Sequence, residues 1–323
     1  MIAWPSRLRP APAARHQIPV SRAGAAGILA GRVRGHIDMK HLALPCALFL
    51  SWILASCGQA PPTPPARAAA APCSPSVLAV DGHRIWVDKQ GAGRVTVAFE
   101  AGFGNDSSVW ADIAPRVRAA GAQTLVYDRA GMGKSTIDTR APYSIDNDVH
   151  ILRTAWTTCG IAGPIVLVGH SYGGGMALVA ASQDNRIRGL VLLDAVVPGV
   201  WSGGELERNL TTMRAQYDEI RARAPALAKV AIPWAEALTA TVQRIDTVAV
   251  PPALPIIDIV AEHGQNDPDS ARVWRDAHVA FTANQPSREY VLATGSSHKV
   301  MVDRADLVVD AILKLLGRAA APR

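Results

Sequence analysis

No stretch of this 323-residue chain is a clear membrane-spanning helix. The leading candidate, Leu42–Leu54 (LALPCALFLSWIL), has 13 residues, whereas a spanning helix needs about 20. A general surplus of positive charge is also missing. The formal net charge is +6, and all of it lies in the first 56 residues, where Arg7, Arg9, Arg15, Arg22, Arg32, Arg34 and Lys40 face Asp38 alone. From Cys57 onward the two signs balance. A nucleic-acid partner is therefore excluded for the folded part, which has no basic excess to set against phosphates. No repeat of fixed period occurs, and 49% hydrophobic with 19% charged residues is neither a disordered nor a collagen-like composition. The chain is long enough for one sizeable core.

The basic first part has its own logic. Met39 is followed by Lys40 and His41, then by the short apolar run, then by Ala55-Ser56-Cys57-Gly58. A basic start, a short apolar middle and small residues after it are the parts of a secretory signal, so translation is expected to begin at Met39 and the product to be exported. Leu54-Ala55-Ser56-Cys57 resembles a bacterial lipobox, which implies that Cys57 is lipidated and becomes the mature N-terminus. Residues 1–57 are read as leader and signal. Residues 58–76, GQAPPTPPARAAAAPCSPS, are Pro- and Ala-rich without apolar period, as a tether between anchor and domain would be. With Cys46 removed and Cys57 acylated, Cys73 and Cys159 remain, free to form one disulfide or to stay as two thiols.

From residue 77 short apolar runs alternate with helical ones. RIWVDKQG, VTVAFEAG and QTLVYDRAG read as strands, SSVWADIAPRVRAAG and IDNDVHILRTAWTTCG as helices. PIVLVGH is apolar on both faces, the mark of a parallel strand covered by helices on each side. The unit repeats through IRGLVLLDAV, PIIDIV and REYVLAT to a closing helix, ADLVVDAILKLLG. The expected fold is α/β, a mostly parallel central sheet flanked by helices over residues 77–317.

PIVLVGH breaks into Ser171 within Gly169-His170-Ser171-Tyr172-Gly173. A serine fenced by glycines between a buried strand and a small-residue helix is a nucleophile elbow: the tight turn lifts the hydroxyl clear and sets the Tyr172 N–H at a helix start. Gly131-Met132-Gly133-Lys134-Ser135 is no phosphate loop, because that motif requires glycine at 128 and the chain has Asp128.

With the elbow in place, residues 77–317 resemble the α/β-hydrolase family. FEAGFGNDSSVW resembles that family's loop after its third strand, and YDRAGMGKS its turn after the next. Many members carry His-Gly where this chain has Ala101-Gly102, so the resemblance rests on Gly102 and on Phe103, whose N–H would join that of Tyr172 in an oxyanion hole.

A serine nucleophile needs a base. His298 follows the last strand in TGSSHKVMVDRADLVV and resembles the family's catalytic histidine, whereas His263 and His278 read as surface or core residues. The acid stays open between two positions. Asp194, in LVLLDAVVP, resembles the acid of haloalkane dehalogenases. Asp267 lies in AEHGQNDPD, near the more usual position, where this chain has Gly264.

Residues 199–254 read as a small helical lid, with Trp201, Met213, Trp234 and Leu238 as candidate pocket walls. The resemblance implies a serine hydrolase acting on a small-molecule carboxylic ester or related acyl bond, with no metal or organic cofactor. A C–C hydrolase, a perhydrolase and a non-catalytic binding protein on the same scaffold are the alternatives.

The leader generates a test of its own. Expressed in bacteria from Met39, the protein should partition with membranes and its mature mass should begin at an acylated Cys57, the several chains of a lipoprotein cysteine giving stable anchoring. A product beginning at Met1 without acyl mass would refute the leader reading.

Overall fold

The computed structural model describes residues 73–319. The leader, the lipidation candidate Cys57 and the tether up to residue 72 lie outside the described residues.

Strands β1 (Ser76–Val80), β2 (His83–Gln90), β3 (Thr96–Glu100), β4 (Gln123–Tyr127), β5 (Ile165–His170), β6 (Ile187–Leu193), β7 (Ile256–His263) and β8 (Arg288–Ser297) form one sheet. Its order is β1-β2-β4-β3-β5-β6-β7-β8. The β1/β2 and β2/β4 pairs are antiparallel and the rest parallel. The pattern of the central strands causes this arrangement. Every residue of β5 is buried, and alternate side chains enter opposite layers: Ile165 and Leu167 on one face, Val166 and Val168 on the other. In β6 Leu190 and Leu192 divide from Val191 and Leu193 in the same way. A strand apolar on both faces is stable only under cover on each side.

Helices α1 (Ile113–Ala119), α2 (Ile145–Thr158) and α3 (Tyr172–Gln183) follow β3, β4 and β5. Ser144 caps α2 by accepting from the Asn147 N–H. The lid is four helices, α4 (Glu205–Arg214), α5 (Tyr217–Arg223), α6 (Pro225–Glu236) and α7 (Leu238–Asp246), all within the range expected for it. Its first half, read as one helical stretch, is broken at Ala215-Gln216 and again at Ala224, where Pro225 opens α6. Helices α8 (Pro268–Thr282), α9 (Val300–Asp303) and α10 (Ala305–Ala319) complete the chain. Helix α10 sits with α1 on one face of the sheet, whereas α2, α3 and the lid share the other. The elbow helix α3 is buried all round from Tyr172 to Ala181.

Cys73 and Cys159 form a disulfide with a Cα separation of 5.6 Å. Both cysteines are buried, and β2 ties their carbonyls together: the Lys89 N–H donates to Cys73 O at 2.6 Å and the buried Lys89 ammonium to Cys159 O. The bridge closes a loop with a sequence separation of 86, so it removes much freedom from the unfolded chain. Replacing both cysteines by serine should lower stability by about 2–4 kcal/mol and the melting temperature by about 5–15 °C. Melting with and without reductant checks this. Identical curves would mean that the bridge does not form.

Candidate active site

The site is assembled where open α/β sheets place their sites, at the carboxyl ends of the parallel strands. Four of them contribute.

After β5 the chain turns at Ser171, whose backbone sits at φ 53° and ψ −122°, a region a side chain rarely occupies. The turn is held from the neighbouring strand. The Ser171 N–H donates to Leu193 O at 3.0 Å, and Ser171 O accepts from the N–H groups of Val196 and Gly174, each at 2.9 Å. The glycines are required by contact: a Cβ on Gly169 would stand 2.6 Å from Gly173 O, and one on Gly173 2.5 Å from Glu100 O.

After β6 comes Asp194, also at positive φ (41°) and wholly buried. Its Oδ2 meets His298 Nδ1 at 2.6 Å. Its Oδ1 accepts from Trp274 Nε1 at 2.9 Å and from the Ala261 N–H at 3.2 Å. Burial alone would raise this carboxyl, but the hydrogen bond and charge of His298, with help from His278 and Trp274, hold it below the usual range. Gly264 lies against the same carboxylate, and a Cβ there would run into Asp194 Oδ2. The two acid candidates thus fare differently. The structure brings Asp194 to His298. It places Asp267 in an exposed position as the N-cap of α8, where its side chain accepts from the Ser270 N–H at 2.8 Å.

His298 directly follows β8 and is tied to the elbow by His170. The buried His170 Nε2 donates to His298 O at 2.9 Å, and the two rings lie 4.7 Å apart. Burial and then the nearby His298 push His170 down to about 3, so it is neutral, with its proton on the nitrogen that faces the carbonyl. His263 is exposed. His278, in contrast, is fully buried with its Nδ1 2.8 Å from Asp258 Oδ2. Its ring lies 5.5 Å from that of Trp274, so this second pair backs the residue that holds Asp194.

After β3, residues Gly102 and Phe103 face the elbow. A Cβ on Gly102 would meet His170 Nδ1 at 2.6 Å and Ser171 Cβ at 3.1 Å, so only glycine lets this loop approach the serine. Among the described residues no acceptor engages the backbone N–H of Phe103 or of Tyr172. The lid supplies a roof over both residues. Trp234 of α6 is fully buried, stacks on Phe103 at 4.1 Å and meets Tyr172 edge-on at 5.6 Å. Trp201, Met213 and Leu238, the other expected walls, are buried too.

Beneath the loop lies a charged cluster that the sequence pattern did not single out. Arg129 pairs with Glu100 at 2.5 Å, Tyr127 donates to Glu100, and Asp148 accepts from Tyr143 at 2.6 Å and Tyr172 at 3.0 Å. Burial pushes the Glu100 carboxyl up to about 7 despite Arg129 and the Tyr127 hydrogen bond. The available signal was Glu100 closing an otherwise apolar strand. Among the described residues no three His, Cys, Asp or Glu side chains gather as a metal ligand set.

The alpha/beta hydrolase family model matches residues 97–311. The chain belongs to the alpha/beta hydrolase family. The uncharacterized protein YqjL of Bacillus subtilis (strain 168) is 35% identical over 107 residues, which are 33% of this chain and 42% of that protein. Lipase LipV of Mycobacterium tuberculosis (strain ATCC 25618 / H37Rv) is 33% identical over 110 residues, 34% of this chain and 40% of LipV. The chain thus matches only about two fifths of these relatives' length. Among solved structures, a thermophilic esterase from Thermogutta terrifontis aligns over 76% of this chain and 98% of its own, with a TM-score of 0.57 and 19% identity, a likeness of fold.

The two aspartates are separable by mutation. If Asp194 is the acid of a serine triad, Asp194→Asn should leave folding nearly intact and lower kcat by about 10,000-fold, because the imidazole takes the wrong tautomer. Asp267→Asn should change kcat little. Steady-state kinetics on a reporter ester decides, and the reverse ranking would assign the acid to the later loop.

Proposed function

We propose that this alpha/beta hydrolase is a serine hydrolase that cleaves a carboxylic ester or related acyl bond through an acyl-enzyme on Ser171. The observation that carries the reading is the hydrogen bond from His298 Nδ1 to Asp194, on a loop that His170 ties to the nucleophile elbow. With Nδ1 engaged, Nε2 of His298 is the nitrogen left to take a proton.

In this reading Ser171 Oγ attacks the carbonyl carbon and passes its proton to His298. The oxyanion of the tetrahedral intermediate is received by the N–H groups of Phe103 and Tyr172. Collapse expels the alcohol, which takes the proton back from His298. A water molecule, activated by the same base, then releases the acid and restores the serine. Asp194 keeps its charge throughout and offsets the imidazolium. Trp234, lying against both residues that carry the donors, forms a wall of the acyl pocket. The similarity to a protein named as a lipase supports ester chemistry.

We further propose that the protein acts outside the cytoplasm, lipid-anchored in a bacterial cell envelope; the Cys73–Cys159 bridge supports the oxidising compartment this requires.

A fluorophosphonate probe tests the chemistry. One adduct per chain, located on Ser171 by peptide mass and lost in Ser171→Ala, is the expected result. A folded wild-type protein that stays unlabelled and leaves p-nitrophenyl esters of every chain length intact would overturn the proposal.

A further inference from the structure

We infer that Arg129 is a positioning residue that aims the Phe103 N–H at the oxyanion; the inference rests on the acyl-transfer reading above. Its guanidinium donates to two successive carbonyls of the loop after β3, Nη1 to Ala101 O at 2.9 Å and Nη2 to Gly102 O at 3.2 Å. The second of these decides the matter. Gly102 C=O and Phe103 N–H belong to one peptide unit, which is planar and trans, so oxygen and hydrogen point in opposite directions. Holding the oxygen toward Arg129 turns the N–H away from it.

The Asn105 N–H closes a turn onto the same Gly102 oxygen at 3.2 Å. That bond shapes the loop internally, whereas the arginine ties the loop to the core. The guanidinium itself is held from several elements. Glu100 at the end of β3 pairs with Nη1, Asp148 of α2 stands 3.9 Å from Nε, and the Met176 sulfur of α3 is 3.7 Å from Nη1. The Tyr172 ring lies 5.0 Å from the guanidinium carbon, so one buried cation touches both segments that carry the proposed oxyanion donors. A planar guanidinium spreads its fixed N–H groups over three nitrogens and reaches acceptors on different sides, whereas the three donors of a lysine all sit on one nitrogen.

The test uses the full chain. Arg129→Lys keeps a cation beside Glu100 but removes the fork. It should lower kcat on the order of 100-fold, the scale of losing one oxyanion donor, with KM within about 3-fold of wild type, because the oxyanion forms only in the transition state. Affinity for a boronic acid, which forms a tetrahedral adduct on serine, should fall in parallel. Glu100→Gln removes one of the groups that hold the guanidinium but leaves its carbonyl contacts, so it should lower the melting temperature and reduce kcat far less than Arg129→Lys does. In protein labelled with 15N-phenylalanine, the Phe103 amide, identified by its loss in Phe103→Tyr, should shift when boronate binds wild type.

Unchanged kcat and boronate affinity in Arg129→Lys, or an equal catalytic loss in Glu100→Gln, would overturn the inference and leave the cluster structural. Should Arg129→Lys fail to fold, wild type and Glu100→Gln still decide, since a Phe103 amide indifferent to boronate, or a kcat loss on the order of 100-fold in Glu100→Gln, ends the proposal. Failure of the serine reading is distinct: wild type itself would neither bind boronate nor label.

Discussion

The hydrogen bond between His298 and a buried aspartate is the interaction on which the rest of the site depends. A carboxylate with no exposed surface is costly unless its lone pairs are used, and Asp194 uses them on His298, Trp274 and the Ala261 N–H. Those partners come from the β8 loop, α8 and β7, so a single side chain fixes how three later parts of the chain meet the end of β6. The positive φ of Asp194 and the wholly buried Asp258–His278 pair behind Trp274 belong to the same construction. Strain and buried charge are concentrated here because the surrounding structure holds them in place.

The sheet explains why these groups meet at all. Strands β3, β5, β6 and β8 all run in one direction, so their following loops open on one edge, and glycines let the loops close to contact distance. The lid adds an aromatic wall from above, and the Arg129 cluster supports the β3 loop from below. The loop has a buried ion-pair cluster below it and an apolar cover above, which suits the proposed acyl transfer, where charge develops in a site shielded from water.

Much of this was legible in the residues. Ser171, Tyr172, Phe103 and His298 sit in local patterns, a strand followed by a turn of fixed chemistry, and those patterns survive folding. The aspartate partner of His298 does not have that advantage. Asp194 and Asp267 are equally compatible with chain order, and what separates them is that the ends of β6 and β7 converge on one small space, filled by the Asp194 carboxylate with Gly264 pressed against it. The breaks in the lid were hidden because its charged and apolar spacing continues across Ala215-Gln216. Strand β1 is not among the strands read from the sequence: it starts at Ser76, the last residue of the expected tether, although Asp81-Gly82 marks the hairpin that pairs it with β2. His278 read as ordinary core or surface, since nothing local announces that a helix will deliver it to Asp258 of a strand.

The central claim, that Asp194 holds His298, is open to direct observation of the shared proton. In 15N-histidine-labelled protein two far-downfield imidazole N–H resonances are expected, one for His298 with Asp194 and one for His278 with Asp258. Asp194→Asn should abolish the first and leave the second. Both resonances persisting unchanged in that variant would contradict the account.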